Sequence, residues 1–138
     1  MIDKIDILDR TSRYLGKTSI AGIEKGSVIT VHNAIMATAT SSEIDCRGFN
    51  AISVEMACST FTSGNWVASI YGCAASGGTF GQCYAPKGDG SFVAQQTPAI
   101  STNGNYTFYF KGIPNYMKIL ATRTTDGTLT CKVTPMNL

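Results

Sequence analysis

His32 is the only histidine in the chain. Any Ser-His-Asp or Cys-His relay would have to use it, because those relays need an imidazole to take the nucleophile's proton. It sits beside Asn33, between an apolar run at residues 27–31 and a weaker one at 34–40, where the sequence reads as a turn. A histidine in a surface turn has nothing nearby to tune its pKa for acid–base work, so surface decoration is the expectation. Glu43 and Asp45 flank Ile44 and would share one solvated strand face. Asp3, Asp6 and Asp9 recur every three residues near the N-terminus. Calcium wants several oxygen ligands from one short loop, and Gly88-Asp89-Gly90 supplies one carboxylate. The five cysteines, Cys46, Cys58, Cys73, Cys83 and Cys131, include no C-x-x-C pair, so a zinc knuckle is not expected. They read as reduced, small core hydrophobes of a protein made in a cytosol. Gly77-Gly78-Thr79-Phe80-Gly81 resembles a phosphate-cradling loop only superficially, because it joins two strands and not a strand to a helix. No G-x-S-x-G is present. Neither an enzyme nor a cofactor is expected.

Aromatic side chains offer another kind of chemistry. Trp66, Tyr71, Phe80 and Tyr84 could form a platform on which a sugar stacks. The competing reading is packing between strands, with Trp66 opening a strand and closing one end of the core, and it is the favoured one.

The elements that would position these groups are strands. Charged residues make up 14% of the chain, well below the usual fraction of about 25%. Polarity comes instead from 17 Thr and 12 Ser, with 14 Gly. Thr packs well on a pleated surface and Gly punctuates turns. Ile52, Val54, Met56 and Cys58 alternate with Ser53 and Glu55, which is the period of a half-buried strand. The same period places Tyr106, Phe108 and Phe110 on one face, Met117, Ile119 and Ala121 on another, and Leu129, Cys131 and Val133 on a third. Residues 66–73 form a further strand. Turn chemistry falls at residues 62–65, 76–78, 88–90, 103–105 and 125–127, with Asp126-Gly127 the strongest hairpin signal. Seven to nine short strands predict an all-β fold: a single antiparallel β-sandwich, jelly-roll or Ig-like, over residues 26–138. Residues 1–25 carry no clean strand and read as an N-terminal arm, with Ile2, Ile5, Ile7, Leu8 and Tyr14 as its apolar residues. The net charge of +2 is small and its basic residues are scattered, so nucleic acid is not expected as a partner. No apolar run approaches the ~18 residues of a membrane span, and residues 1–6 alternate in charge where a signal peptide would be apolar.

From residue 44 to residue 133 these parts follow a recognisable order. Asp45-Cys46-Arg47-Gly48-Phe49 precedes the strand at residues 51–56. A Thr/Ser/Gly turn leads to Trp66, Ser76-Gly77-Gly78 follows, then Asn103-Gly104-Asn105-Tyr106, and Asp126-Gly127-Thr128-Leu129 opens the last strand. The order resembles the β-sandwich module of tailed-phage structural proteins, which include capsid decoration (cement) proteins, head fibres and tail-associated proteins. It departs from that module where Ser76-Gly77-Gly78 lacks the usual Asp and Phe80 stands in place of Trp. The resemblance implies a non-enzymatic virion protein, made in the host cytoplasm, that binds the major capsid protein or other virion proteins and stabilises capsomer contacts. It also implies a homo-oligomer, with a trimer favoured. For such a protein, residues 1–25 are expected to form or support the attachment surface, with Ile2, Ile5, Ile7, Leu8 and Tyr14 as apolar anchors. The alternative is a carbohydrate- or receptor-binding module of a head or tail fibre, using Trp66, Tyr71 and Tyr84.

Overall fold

The structure is a computed structural model that describes the backbone of residues 18–20 and 23–138, and side chains from Lys25 onward. Ile2, Ile5, Ile7, Leu8 and Tyr14 therefore lie outside the described residues. In chain order the strands are β1 (Thr18–Ile20), β2 (Ile23–Lys25), β3 (Ile29–Ile35), β4 (Ala39–Thr40), β5 (Ile44–Asp45), β6 (Ala51–Ser59) and β7 (Asn65–Cys73). They continue with β8 (Gly81–Gln82), β9 (Tyr84–Pro86), β10 (Phe92–Ala94), β11 (Gly104–Lys111), β12 (Tyr116–Thr124) and β13 (Thr128–Asn137). The expected all-β antiparallel sandwich is what forms. One sheet runs β11-β6-β13, with β3 and β2 along the far edge of β13 and β1 beyond β2. The other runs β8-β7-β12, with β4 and β5 along the far edge of β12. β9 and β10 make a separate two-stranded ribbon.

Alternation explains why these residues form these strands. The inward positions of β6 (Ile52, Val54, Met56, Cys58) and β13 (Leu129, Cys131, Val133) face those of β7 (Trp66, Ala68, Ile70) and β12 (Met117, Ile119, Ala121), and all are buried. Each fully buried Ile, Leu or Met stabilises the fold by roughly 1.5–3 kcal/mol. Tyr106, Phe108 and Phe110 take the predicted face but are only partly buried, because β11 is an edge strand with neighbours on one side.

The structure corrects the sequence reading in several places. Residues 18–25, assigned to a strandless arm, contain β1 and β2, and β2 extends the sheet beside Met136 and Asn137. The turn expected at His32-Asn33 is a bulge inside one strand. The register of β3 on β13 shifts there, Ala34 has φ +48°, and its N–H is taken by Thr130 Oγ1 at 3.0 Å. Asp126-Gly127 does not make a hairpin. β12 and β13 lie in different sheets, so this turn crosses between them, as does the turn at residues 60–64 between β6 and β7. Residues 88–99, unassigned from sequence, supply β10 and then run along β7. There Thr97 N–H donates to Ala68 O, and Ile100 and Trp66 exchange both backbone bonds at 2.9 Å.

Candidate functional site

His32 is buried, and its Nε2–H donates to Ile119 O at 3.0 Å. The same carbonyl accepts Ser41 N–H at 2.9 Å, and Ser41 Oγ accepts Ile119 N–H at 2.9 Å. The surface histidine expected from sequence is thus a seam residue. It ties β3 of one sheet to β12 of the other, at the gap between β4 and β5. Burial lowers its pKa, with the backbone hydrogen bond a smaller opposing effect. Its ring nitrogen serves the fold. The thiols are similarly engaged: burial pushes Cys46 and Cys131 up to about 12 and Cys58 up to about 11, far from the thiolate range of a reactive cysteine.

The carboxylates also have structural partners. Glu43 accepts Ser76 Oγ at 2.6 Å and Gly77 N–H at 2.8 Å, which clamps the β7–β8 loop and holds its carboxyl below the usual range. Asp45, expected to be merely solvated, accepts from Arg47 Nη2 at 2.7 Å; Arg47 lies 5.3 Å over the Tyr116 ring. Asp89 caps Ser91 within the β9–β10 turn. Among the described residues no three His, Cys, Asp or Glu side chains gather as a metal-holding group.

The aromatic platform separates in space. Trp66 is fully buried, at 0% exposure, because it occupies an inward position of β7. Tyr71, five residues on, falls on the outward face by alternation. It shares a hollow of about 350 Å³ with Phe80, Lys118 and Leu120, where Lys118 Nζ stands 4.6 Å over the Phe80 ring. Trp66 therefore cannot join Tyr71 in one surface platform. Tyr84 lies on β9, in the separate ribbon.

Of the eight exposed large hydrophobic residues among the described ones, Tyr84, Phe92 and Val93 stand together on that ribbon. β9 and β10 pair Tyr84 with Ala94, Ala85 with Val93 and Pro86 with Phe92. Alternation sets Tyr84, Pro86 and Phe92 on one side and Val93 on the other. Tyr84 is 61% exposed and Phe92 69%. The tip is closed by Lys87 N–H to Ser91 O at 2.7 Å, with Gly90 at φ +85°. The ribbon's base is pinned by Gln82, whose Nε2 donates to Cys83 O at 2.9 Å and Ile70 O at 3.1 Å. Gln95 N–H also donates to Cys83 O at 2.8 Å. A hydrogen-bonded base thus carries a short ribbon whose side chains Tyr84 and Phe92 are mostly exposed. Sequence reading named Tyr84 but missed Phe92 and Val93. Alternating Phe92 and Ala94 beyond a Gly-Asp-Gly turn was the available signal.

No protein-family model matches the chain, and no curated protein does. Among solved structures, the crystal structure of the SPBc2 prophage-derived protein YomS is similar, with a TM-score of 0.53 and 19% identity. The match covers 87% of this chain and 99% of that one. At that identity the likeness is one of fold.

Proposed function

We propose that this chain is a non-enzymatic structural protein of a phage particle, a capsid decoration protein that docks on the outer shell and stabilises contacts between capsomers. The observation that carries the reading is the projecting ribbon. A lone two-stranded ribbon is marginal in water, and an apolar surface held out from a fold marks a place where another protein sits. Tyr84, Pro86 and Phe92 form such a side, with Val93 on the reverse. Aromatic anchors of this kind dominate protein interfaces. The fold shared with a prophage-derived protein and the order of turn motifs between residues 44 and 133 support a virion setting. Many copies on one shell would let modest contacts add through multivalency. The major capsid protein is the partner in this reading, and the decoration protein acts as a homo-oligomer.

The test is sedimentation of phage particles with the tagged full chain, reading copy number per particle, beside the Tyr84→Ser/Phe92→Ser double variant. The native chain should reach hundreds of copies per particle, by analogy with shell-wide multivalent binding. The variant should keep its thermal midpoint, since both side chains are exposed, and lose the particle. Absence of the native chain from particles, or undiminished binding by the variant, refutes the reading.

A specific observation keeps a second reading in play. The hollow beside Tyr71, Phe80 and Lys118 has the aromatic-plus-cation lining that suits a glycan on a fibre module. A glycan array with Tyr71→Ala as control separates the two.

A further inference from the structure

We infer that β11 is the strand through which two copies of this chain pair, edge to edge, about a twofold axis. The inference does not depend on the role in a particle. Gly112 N–H donates to Asn50 O at 2.9 Å, continuing the β11–β6 register in which Gly104 faces Cys58 and Lys111 faces Ala51. In an antiparallel ladder, alternate residues direct both N–H and C=O to the same neighbour. The even-numbered residues of β11 therefore bond β6, and Asn105, Thr107, Tyr109 and Lys111 point theirs away from the sheet. The outward carbonyl of Lys111 is taken by Gln95 Nε2 at 2.8 Å. The six outward groups of Asn105, Thr107 and Tyr109 have no partner among the described residues.

Every other described edge is blunted. β1, β9 and β10 have three residues each, with Pro86 in β9, and β4, β5 and β8 have two each. β3 carries the bulge at Ala34. The open side of β7 is covered by β8 and by residues 95–100, which include Pro98. Short strands, bulges and prolines are how proteins stop edges from pairing. β11 has none of these over its eight residues, and its one charge, Lys111, stands at its end.

Self-pairing centred on Thr107 uses what is left open. Thr107 faces Thr107 of the second copy and Asn105 faces Tyr109, so all six free groups are bonded and Lys111 keeps Gln95. Lys111 falls opposite Asn103, so no like charges meet. On the inner side Tyr106 comes beside Phe108 of the other copy, in the closely spaced position of the ladder. That covers aromatics the single sandwich leaves partly exposed. An isologous pair of this kind closes on itself, which makes the repeating unit twofold where the sequence resemblance favoured a trimer. A single strand pair buries little area, so the dimer should depend on concentration.

The experiment is analytical ultracentrifugation of the full chain over a concentration series, with amide hydrogen exchange at its two ends. The native chain should shift from monomer to dimer, and the amides of Asn105, Thr107 and Tyr109 should slow as it does. The amides of Tyr106, Phe108 and Phe110 should be slow throughout. Thr107→Lys, which sets two ammonium groups together at the twofold, should remain monomeric with an unchanged thermal midpoint. A native chain that is monomeric at millimolar concentration, or a dimer whose outward β11 amides exchange freely, overturns the inference. So does a dimer that Thr107→Lys leaves intact.

Discussion

Gly127 is the position where one atom decides the most. Its φ is +115°, and a Cβ placed there would lie 2.4 Å from Phe61 Cε1 and 2.9 Å from Trp66 Nε1. The indole is packed beneath bare backbone. Its Nε1–H is buried with no hydrogen-bond partner among the described residues, a cost of about 1–3 kcal/mol that burial of so large a ring offsets. Gly127→Ala combines a disfavoured dihedral with a collision against rigid rings, and should destabilise the fold by about 2–4 kcal/mol. Gly81 is the control, with open space where its Cβ would go. Urea midpoints of Gly127→Ala and Gly81→Ala should differ clearly; coincident midpoints would show that Phe61 and Trp66 can move aside. The same scale explains why the Trp66–Tyr71 platform fails. Residues five apart on a regular strand face opposite ways, and the alternation of β7 already placed them on different sides.

At the scale of elements, the turns divide by what lies across from them. The loops at residues 74–80 and 87–91 join strands that pair, so they are hairpins. Those at residues 60–64 and 125–127 join strands of different sheets. The two crossing turns hold each other. Asp126 accepts N–H groups from Thr62 at 3.2 Å, Ser63 at 3.3 Å and Gly64 at 2.8 Å. It is aimed there by a tight turn in which Asp126 N–H bonds Thr124 O, with Thr125 at φ +66°. That conformation is costly for a β-branched residue, and it persists because the carboxylate's three bonds depend on it. Those bonds hold the Asp126 pKa below its ordinary 3.8. A carboxylate lowered in the folded state stabilises above its unfolded pKa and loses that contribution as pH falls through the folded value. Asp126→Ala should therefore lower the thermal midpoint at neutral pH. The gap to the native chain should narrow below pH 3.8. Calorimetry across that range reads it, and a gap independent of pH would mean that the carboxylate is not the clamp.

Taken as a whole, the sandwich is stitched shut along both long seams by one buried side chain each. His32 donates to Ile119 O on one side, and Gln95 donates to Lys111 O on the other. Only the first can titrate. The His32 pKa is lowered from 6.5 by burial, so the unfolded chain binds the proton more readily than the folded one. Stability from this seam is then fully present above pH 6.5 and is lost as pH falls toward the lower folded value. Denaturant unfolding should show stability falling through mildly acidic pH, above the carboxylate range. His32→Gln, a donor that does not titrate, should flatten that slope. An unchanged slope in the variant would assign the acid sensitivity elsewhere.

The strands and their buried faces could be read without a structure, because alternation is a local property: Ile52, Val54, Met56, Met117, Ile119, Leu129 and Val133 each declare a face through their neighbours two residues away. The apolar content of residue 92 and the turn at 88–90 were equally local. Which strand lies beside which is not local. Asp126-Gly127 carries hairpin chemistry, but a turn encodes only its own dihedrals, and the partner of β13 is settled by which pairing fills the core. Packing therefore made that turn cross between sheets, drew His32 from a presumed turn into a seam, and set Glu43 on the β7–β8 loop. It also left β11 with an open edge and Tyr84 and Phe92 without cover. The sequence determined the layers; the tertiary arrangement decided which surfaces remain for a partner, since exposure is what is left after every strand has found its neighbour.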